Sequence, residues 1–305
     1  MLSNNVIGSA RGLYPNQNGI WTSSRCWHFQ AGSYIRHNIT EEFIRNTTGD
    51  YTIAGWFYFP NAAIADYAVD ADNDVSLDST VFGFSYQTPI EDGSIEMKGY
   101  GSTFLHRGFA SYNFHYKLRA YCDGGGSGLS HILGGGGNMP HEQWIFIVSR
   151  VKTSDVSDDN CKTYIGRNTS QSNPFLTSAA TTPYSPISNI TNFKFIIGGT
   201  KSSFYISELG IWKDNLPDVQ ILSLYNNGSP VDFSNNHENY NSTSDLVAYY
   251  RFGDGGGDNP SSFLHDETNS ANTASESNGD RDIGSSSIIG TLHEVDTVSI
   301  GLNYE

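Results

Sequence analysis

Along most of the chain, apolar and aromatic residues arrive in short runs with the length and chemistry of β-strands. Tyr51-Thr-Ile-Ala-Gly-Trp-Phe-Tyr-Phe59 is β-branched and aromatic and stops at Pro60, which cannot donate to a sheet ladder. Val81 to Tyr86 alternates, with Val81, Gly83 and Ser85 on one face and Phe82, Phe84 and Tyr86 on the other. Further runs cover 114–121, 144–151, 161–166, 193–197, 204–212 and 246–252, separated by turn-rich segments. Many short strands joined by many turns predict an all-β, two-sheet antiparallel jelly-roll sandwich.

One segment departs from this pattern. Val219, Leu222 and Tyr225 lie three apart, which is helical spacing. Pro217 suits a first helical position, and Asp218 complements the positive end of the helix dipole. Asn226-Asn227-Gly228 supplies a C-terminal stop, and Pro230 prevents continuation. The spacing predicts one short helix over 217–226, of about three turns, lying on the sandwich.

The composition fits that architecture. Apolar residues make up 37% of the 305 positions and aromatic residues 13%, including 18 tyrosines, which suits broad pleated surfaces. The formal charge of −15 opposes binding to phosphate backbones and anionic membranes, so neither nucleic acid nor membrane is expected as a partner. No apolar stretch approaches the roughly 18 residues of a membrane-spanning helix, and the first residues lack the pattern of a signal peptide. Cys26, Cys122 and Cys161 have neither a zinc spacing nor an even count, which predicts free thiols. The glycine tracts Gly124–Gly128 and Gly134–Gly137 lack the Gly-Lys-Ser/Thr of a phosphate loop and read as strand connections.

The pattern divides the chain into an N-terminal arm at 1–24, a sandwich at 25–270 and a linker with a docking tail at 271–305. Ala271 to Asp282 is polar and free of aromatics. Ile288, Ile289, Leu292, Val295, Val298 and Ile300 then form a final apolar set, read as a tail that docks on the domain or on a neighbour.

The order of the runs resembles the laminin-G-like, concanavalin A-like lectin/glucanase superfamily over about residues 25 to 270. Trp27-His-Phe-Gln-Ala-Gly-Ser-Tyr-Ile35 is similar to its opening strand and glycine turn. Tyr51 to Phe59 resembles its core strand, with Trp56 at the tryptophan, and Trp144 to Val148, Thr163 to Arg167, Phe195 to Gly199 and Phe204 to Trp212 resemble the strands after it. Leu246 to Asp254, followed by His265-Asp-Glu-Thr-Asn269, resembles the closing strand and turn found in laminin-G-like proteins of marine phages and other viruses. The resemblance implies fold; the superfamily hosts lectins, hydrolases, adhesins and virion parts alike.

Glucanases of this superfamily alternate carboxylates along one strand so that they converge on one sugar ring, in the retaining case about 5 Å apart. The nearest segment here is Glu91-Asp92-Gly-Ser-Ile-Glu96, in which Glu91 and Asp92 would face opposite ways and Asp92-Gly93 reads as a turn. Neither a Gly-x-Ser-x-Gly elbow nor a His-Glu-x-x-His motif occurs. The expectation is therefore a chain that is not an enzyme. For metals, Asp70, Asp72, Asp74 and Asp78 crowd one loop with the spacing of a calcium-binding loop, although glycine and glutamate are missing at the positions where such loops require them. These four are the expected calcium ligands, and Asp254-Gly-Gly-Gly-Asp258-Asn259 is a weaker second set.

Together these readings predict a virion structural or accessory protein, a capsid decoration, head fibre or tail component assembled in the host cytoplasm. Its partners would be other virion proteins, copies of itself and cell-surface glycans. A carbohydrate-binding adhesin outside any virion is the alternative, and a glycan hydrolase a third.

Overall fold

A computed structural model describes residues 25–29, 33–37, 50–59, 80–85, 102–110, 113–121, 143–151, 161–167, 175–179, 194–199, 204–254, 263–268, 274–275, 282–283 and 291–294. The first strands are β1 (Arg25–Phe29), β2 (Ser33–His37), β3 (Tyr51–Tyr58), β4 (Thr80–Ser85), β5 (Ser102–Ala110), β6 (Asn113–Tyr121), β7 (Trp144–Val151) and β8 (Cys161–Arg167). They are followed by β9 (Phe175–Ala179), β10 (Lys194–Gly199), β11 (Phe204–Trp212), β12 (Leu246–Tyr250), β13 (Phe263–Leu264), β14 (Ala274–Ser275), β15 (Asp282–Ile283) and β16 (Thr291–Glu294). Between β11 and β12 lies the single α-helix among the described residues, α1 (Asp218–Tyr225).

All the pairings are antiparallel, and the strands sort into two main sheets. An 8-stranded sheet runs β16-β1-β11-β3-β7-β8-β9, with β12 as its eighth strand paired to β11 off this path, and a 6-stranded sheet runs β15-β2-β10-β4-β5-β6. Strands β1 and β12 share one edge of β11: Trp27 lies opposite Ile206, and further along Tyr250 lies opposite Leu209. The small β13–β14 pair stands apart. This is the jelly-roll sandwich with one short helix that the sequence predicts. The opening segment contributes to both sheets. Strand β1 enters the larger sheet and β2 the smaller one. Strands β5 and β9 have no clear signature in the sequence. Strand β5, Ser-Thr-Phe-Leu-His-Arg-Gly-Phe-Ala, mixes polar and apolar residues without a clean period, and pairing with β6 along its whole length supplies the order.

The centre of the larger sheet is buried on both faces. Every residue of β3 is inaccessible, as expected for a short continuous apolar run without alternation. Period-2 geometry sends its odd-numbered residues toward the smaller sheet, where Phe57 stacks on Phe82 of β4 at 5.5 Å. Its even-numbered residues Ala54, Trp56 and Tyr58 point outward with Trp144, Phe146 and Val148 of β7. That outer face would be wet in a plain sandwich. Here α1 and the segment after it cover it, adding Ile221, Leu224, Tyr225, Phe233 and Tyr240 to the same cluster.

Two short strands from the segment 271–305 pair with the two main sheets. Strand β16 adds to the outside of β1, with Leu292 opposite Trp27, and β15 adds to the outside of β2, with Ile283 opposite Ile35. Each of these short strands covers a row of backbone donors and acceptors that an open edge would present to other chains. Cys26 is buried, as expected for this residue type.

Candidate functional site

The site grows from the way α1 is fixed. Its buried side is Ile221, Leu224 and Tyr225, with Gln220 and Ser223 at the flanks. The Tyr225 ring stacks near Trp56 and Phe146, with centroids 6.1 and 6.3 Å away. Burial pushes its hydroxyl up to about 12. The helix begins one residue later than the sequence suggests: Pro217, extended at ψ 155°, is the N-cap, and Asp218 is the first helical residue. Spacing predicted the helix correctly but not its orientation. Val219 and Leu222 face solvent, at 55% and 46% exposure.

A charged clamp holds the N-terminal end. Arg150 Nη1 of β7 donates to the Leu216 carbonyl at 2.9 Å and to Asp218 Oδ1 at 2.7 Å. The Tyr164 hydroxyl donates to the same carboxylate oxygen at 2.9 Å, and the Arg150 guanidinium lies over the Tyr164 ring at 5.5 Å. Partial burial pushes the Asp218 carboxyl up, but the Tyr164 hydrogen bond and the charges of Arg150 and Lys162 outweigh it and hold the group below its ordinary value. A carboxylate depressed on folding stabilises above its unfolded pKa and loses that contribution as the pH falls through the folded one. Asp218→Asn should therefore cost less than about 1 kcal/mol at neutral pH, because the side chain is 56% exposed. The difference from wild type should shrink in urea melts repeated at a second, acidic pH well below the ordinary carboxylate range. A deficit of equal size at both pH values would refute the electrostatic account of the clamp.

The C-terminal end turns sharply. Asn226 at φ 43° caps the helix, its N–H donating to the Leu222 carbonyl, and Asn227 at φ 53° and Gly228 at φ 92° continue the left-handed path. Asparagine tolerates this region better than most residues. After passing under the cluster at Phe233, the chain closes a tight turn from His237 to Tyr240, bonded backbone to backbone at 3.0 and 2.8 Å. Glu238 in this turn has φ 50°. Three contacts tie the turn to α1: the Asn239 N–H donates to Ser223 Oγ at 3.2 Å, the Asn241 N–H to Gln220 Oε1 at 3.3 Å, and His237 Nε2 lies 3.4 Å from Asn226 Oδ1. Beneath it, Trp212 Nε1 donates to the Tyr240 hydroxyl at 2.9 Å, which donates to the Phe233 carbonyl at 2.7 Å.

Helix and turn enclose an open depression of about 300 Å³ lined by Val219, Leu222, Ser223, Tyr225, Asn227, Glu238 and Asn239. One wall is aliphatic; the rim carries two amides and a carboxylate. Asn227, Glu238 and Asn239 are exposed. Two of these rim residues, Asn227 and Glu238, are non-glycine residues at positive φ, and residues held in sparsely populated backbone regions gather at ligand sites. The volume falls at the small end of the range for small-molecule sites.

No protein-family model matches the chain, and neither does any curated protein. Among solved structures, a native heptameric SAP-like pentraxin from Limulus polyphemus is similar at 11% identity, with 68% of this chain and 83% of that chain covered and a TM-score of 0.35. The full-length tailspike protein 2 of an Escherichia coli O157:H7 bacteriophage is similar at 11% identity, covering 78% of this chain and 31% of that one, TM-score 0.37. The enzymatically active domain of bacteriophage CBA120 tailspike protein 2 gives 12% identity, 78% and 35% coverage, and a TM-score of 0.40. The chain thus spans about a third of either tailspike chain.

A second polar constellation lies on the same outer face. A β-bulge in β11 between Ile206 and Leu209 carries Ser207 and Glu208. Glu208 is fully buried; its Oε2 accepts the Tyr249 hydroxyl at 2.7 Å, and its Oε1 lies 3.5 Å from Arg251 Nε. Burial and the neighbouring carboxylate both push the Tyr249 hydroxyl well above its usual value, so it stays a donor. With no exposure, the Glu208 carboxylate ties the bulge of β11 to Tyr249 and Arg251. Asp266, in the closing segment, is likewise buried and accepts the N–H groups of Tyr249 and Thr268 at 3.0 and 2.9 Å.

The four aspartates Asp70, Asp72, Asp74 and Asp78 lie outside the described residues, as do Glu91, Asp92, Glu96 and the glycine tracts. In the weaker set, Asp258 and Asn259 lie outside as well, while Asp254 Oδ2 accepts the Arg25 N–H at 2.9 Å. Among the described residues no group of three or more His, Cys, Asp or Glu side chains could hold a metal ion. The depression at α1 is not evident from the sequence. Its one signal there is a pair of apolar helix positions, Val219 and Leu222, off the Ile221–Leu224–Tyr225 stripe.

Proposed function

We propose that the chain is a non-enzymatic, glycan-binding module of an assembled particle. The observation that carries this reading is the depression between α1 and the His237–Tyr240 turn. It sets an aliphatic wall beside the Asn227 and Asn239 amides and the Glu238 carboxylate. A saccharide presents the matching surface: apolar C–H faces edged by hydroxyls, which amides and carboxylates can engage as donors and acceptors. The non-enzymatic half is supported by the missing Glu-x-Asp-x-Glu pattern and by the enclosure of Glu208. A virion setting is supported by the phage-like closing segment, Leu246 to Asp254 and His265 to Asn269.

A shallow open site binds weakly. An affinity near millimolar corresponds to only about 4 kcal/mol, and clustering copies on a particle raises it by about 10² or more. A glycan array probed with monomeric and with multimerised protein tests this. Spots should light with the multimer and fade in the Glu238→Ala/Asn239→Ala variant. Silence in both formats overturns glycan binding, and new reducing ends released from laminarin, agar or carrageenan would overturn the non-enzymatic assignment.

A further inference from the structure

Resting on the reading of this depression as a saccharide site, we infer that it selects uncharged sugars bearing a methyl-terminated substituent, such as an acetamido group, over plain hexoses and over acidic sugars. The two large apolar side chains that stand exposed among the described residues, Val219 and Leu222, both line it. They sit at i and i+3 and so face the same way from the helix surface. Neither is needed to hold the helix down, because Ile221, Leu224 and Tyr225 do that. A plain hexose laid on this wall would lose water from hydroxyls that aliphatic carbon cannot satisfy. A methyl group lacks that penalty and gains contact with the wall. The adjoining Asn227 and Asn239 side chains each carry a carbonyl acceptor and an NH₂ donor, the complement of an amide N–H and C=O. Charge sets the other half of the preference. Among the described residues of the lining, Glu238 is the one ionisable carboxylate and none is Lys, Arg or His, and the whole chain carries −15. An acidic sugar would enter against like charge with no cation to receive it.

Titrations of the ¹⁵N-labelled full chain with N-acetylglucosamine, glucose and N-acetylneuraminic acid, followed at the Asn227, Gly228 and Asn239 amide signals, test the inference. N-acetylglucosamine should bind about fourfold or more tighter than glucose, the ratio expected from burying one methyl group. N-acetylneuraminic acid, which carries the same acetamido group on an anion, should bind more weakly than N-acetylglucosamine, and Glu238→Gln should narrow that gap. Leu222→Ser, at an exposed position and checked by an unchanged melting temperature, should bring the affinity for N-acetylglucosamine down to that for glucose. Equal affinity for glucose and N-acetylglucosamine, or tighter binding of the acidic sugar, overturns the selectivity and leaves the saccharide reading standing. Failure of every saccharide to move these signals overturns the saccharide reading itself.

Discussion

Glu208→Ala should lower the unfolding free energy by about 3–5 kcal/mol, the cost of removing one partner of a buried ion pair. The carboxylate is inaccessible, and two groups depend on it: the Tyr249 hydroxyl and the Arg251 guanidinium, whose own side chain is only 18% exposed. Alanine removes the carboxylate that acts most strongly on a nearly buried cation and leaves it the weaker charges of Asp232 and Asp254. Glu208→Gln separates the contributions. It keeps an acceptor for Tyr249 and removes only the charge, so its cost should be smaller, about 1–3 kcal/mol. Urea unfolding curves with unchanged slopes would give both numbers. A loss below about 1 kcal/mol for the alanine variant would show that the bulge tolerates an empty site, and the structural role given to Glu208 would fall.

Gly166→Ala is the second large effect. Strand β8 places Gly166 directly beneath the Tyr225 ring, where an added Cβ would stand 2.3 and 2.4 Å from two ring carbons. No side chain fits without displacing Tyr225, and Tyr225 is wedged against Trp56 and Phe146. Overpacking of this kind costs about 1–3 kcal/mol. The helix should lift locally, so the turn at His237–Tyr240, which hangs on Ser223 and Gln220, should loosen with it. A double-mutant cycle with Tyr225→Leu provides the check. The smaller side chain should recover a large part of the loss, giving a coupling of at least about 0.5 kcal/mol. Additive losses would mean that the ring is not what excludes a larger residue at 166.

Much of the fold is legible in the order of the residues alone. The apolar run of β3, the alternation of β4 and the helical spacing at 217–226 are local signals, set by the 2.0 and 3.6 residue periods of the backbone. The Asn226-Asn227-Gly228 stop is legible for the same reason, because tolerance of positive φ is a property of the residue itself. The weaker strands β5 and β9 are not legible, since their order comes from partners. The second burial of the larger sheet is hidden too: a continuous apolar run says that both faces are covered but not by what.

What the sequence by itself determined was the kind of element where the apolar pattern is strong, its approximate ends there and the antiparallel sandwich that so many short strands must build. Only the tertiary structure decided which side of α1 meets the sheet, because Val219–Leu222–Tyr225 and Ile221–Leu224–Tyr225 are both helical stripes and the packed structure buries the second. Only the tertiary structure brought Arg150 to Asp218, Glu208 to Tyr249 and Asn239 to Ser223. The physical reason is range: periodicity and turn preference act over a few residues, whereas a binding depression and a buried charge cluster are made by side chains that meet only when distant segments pack.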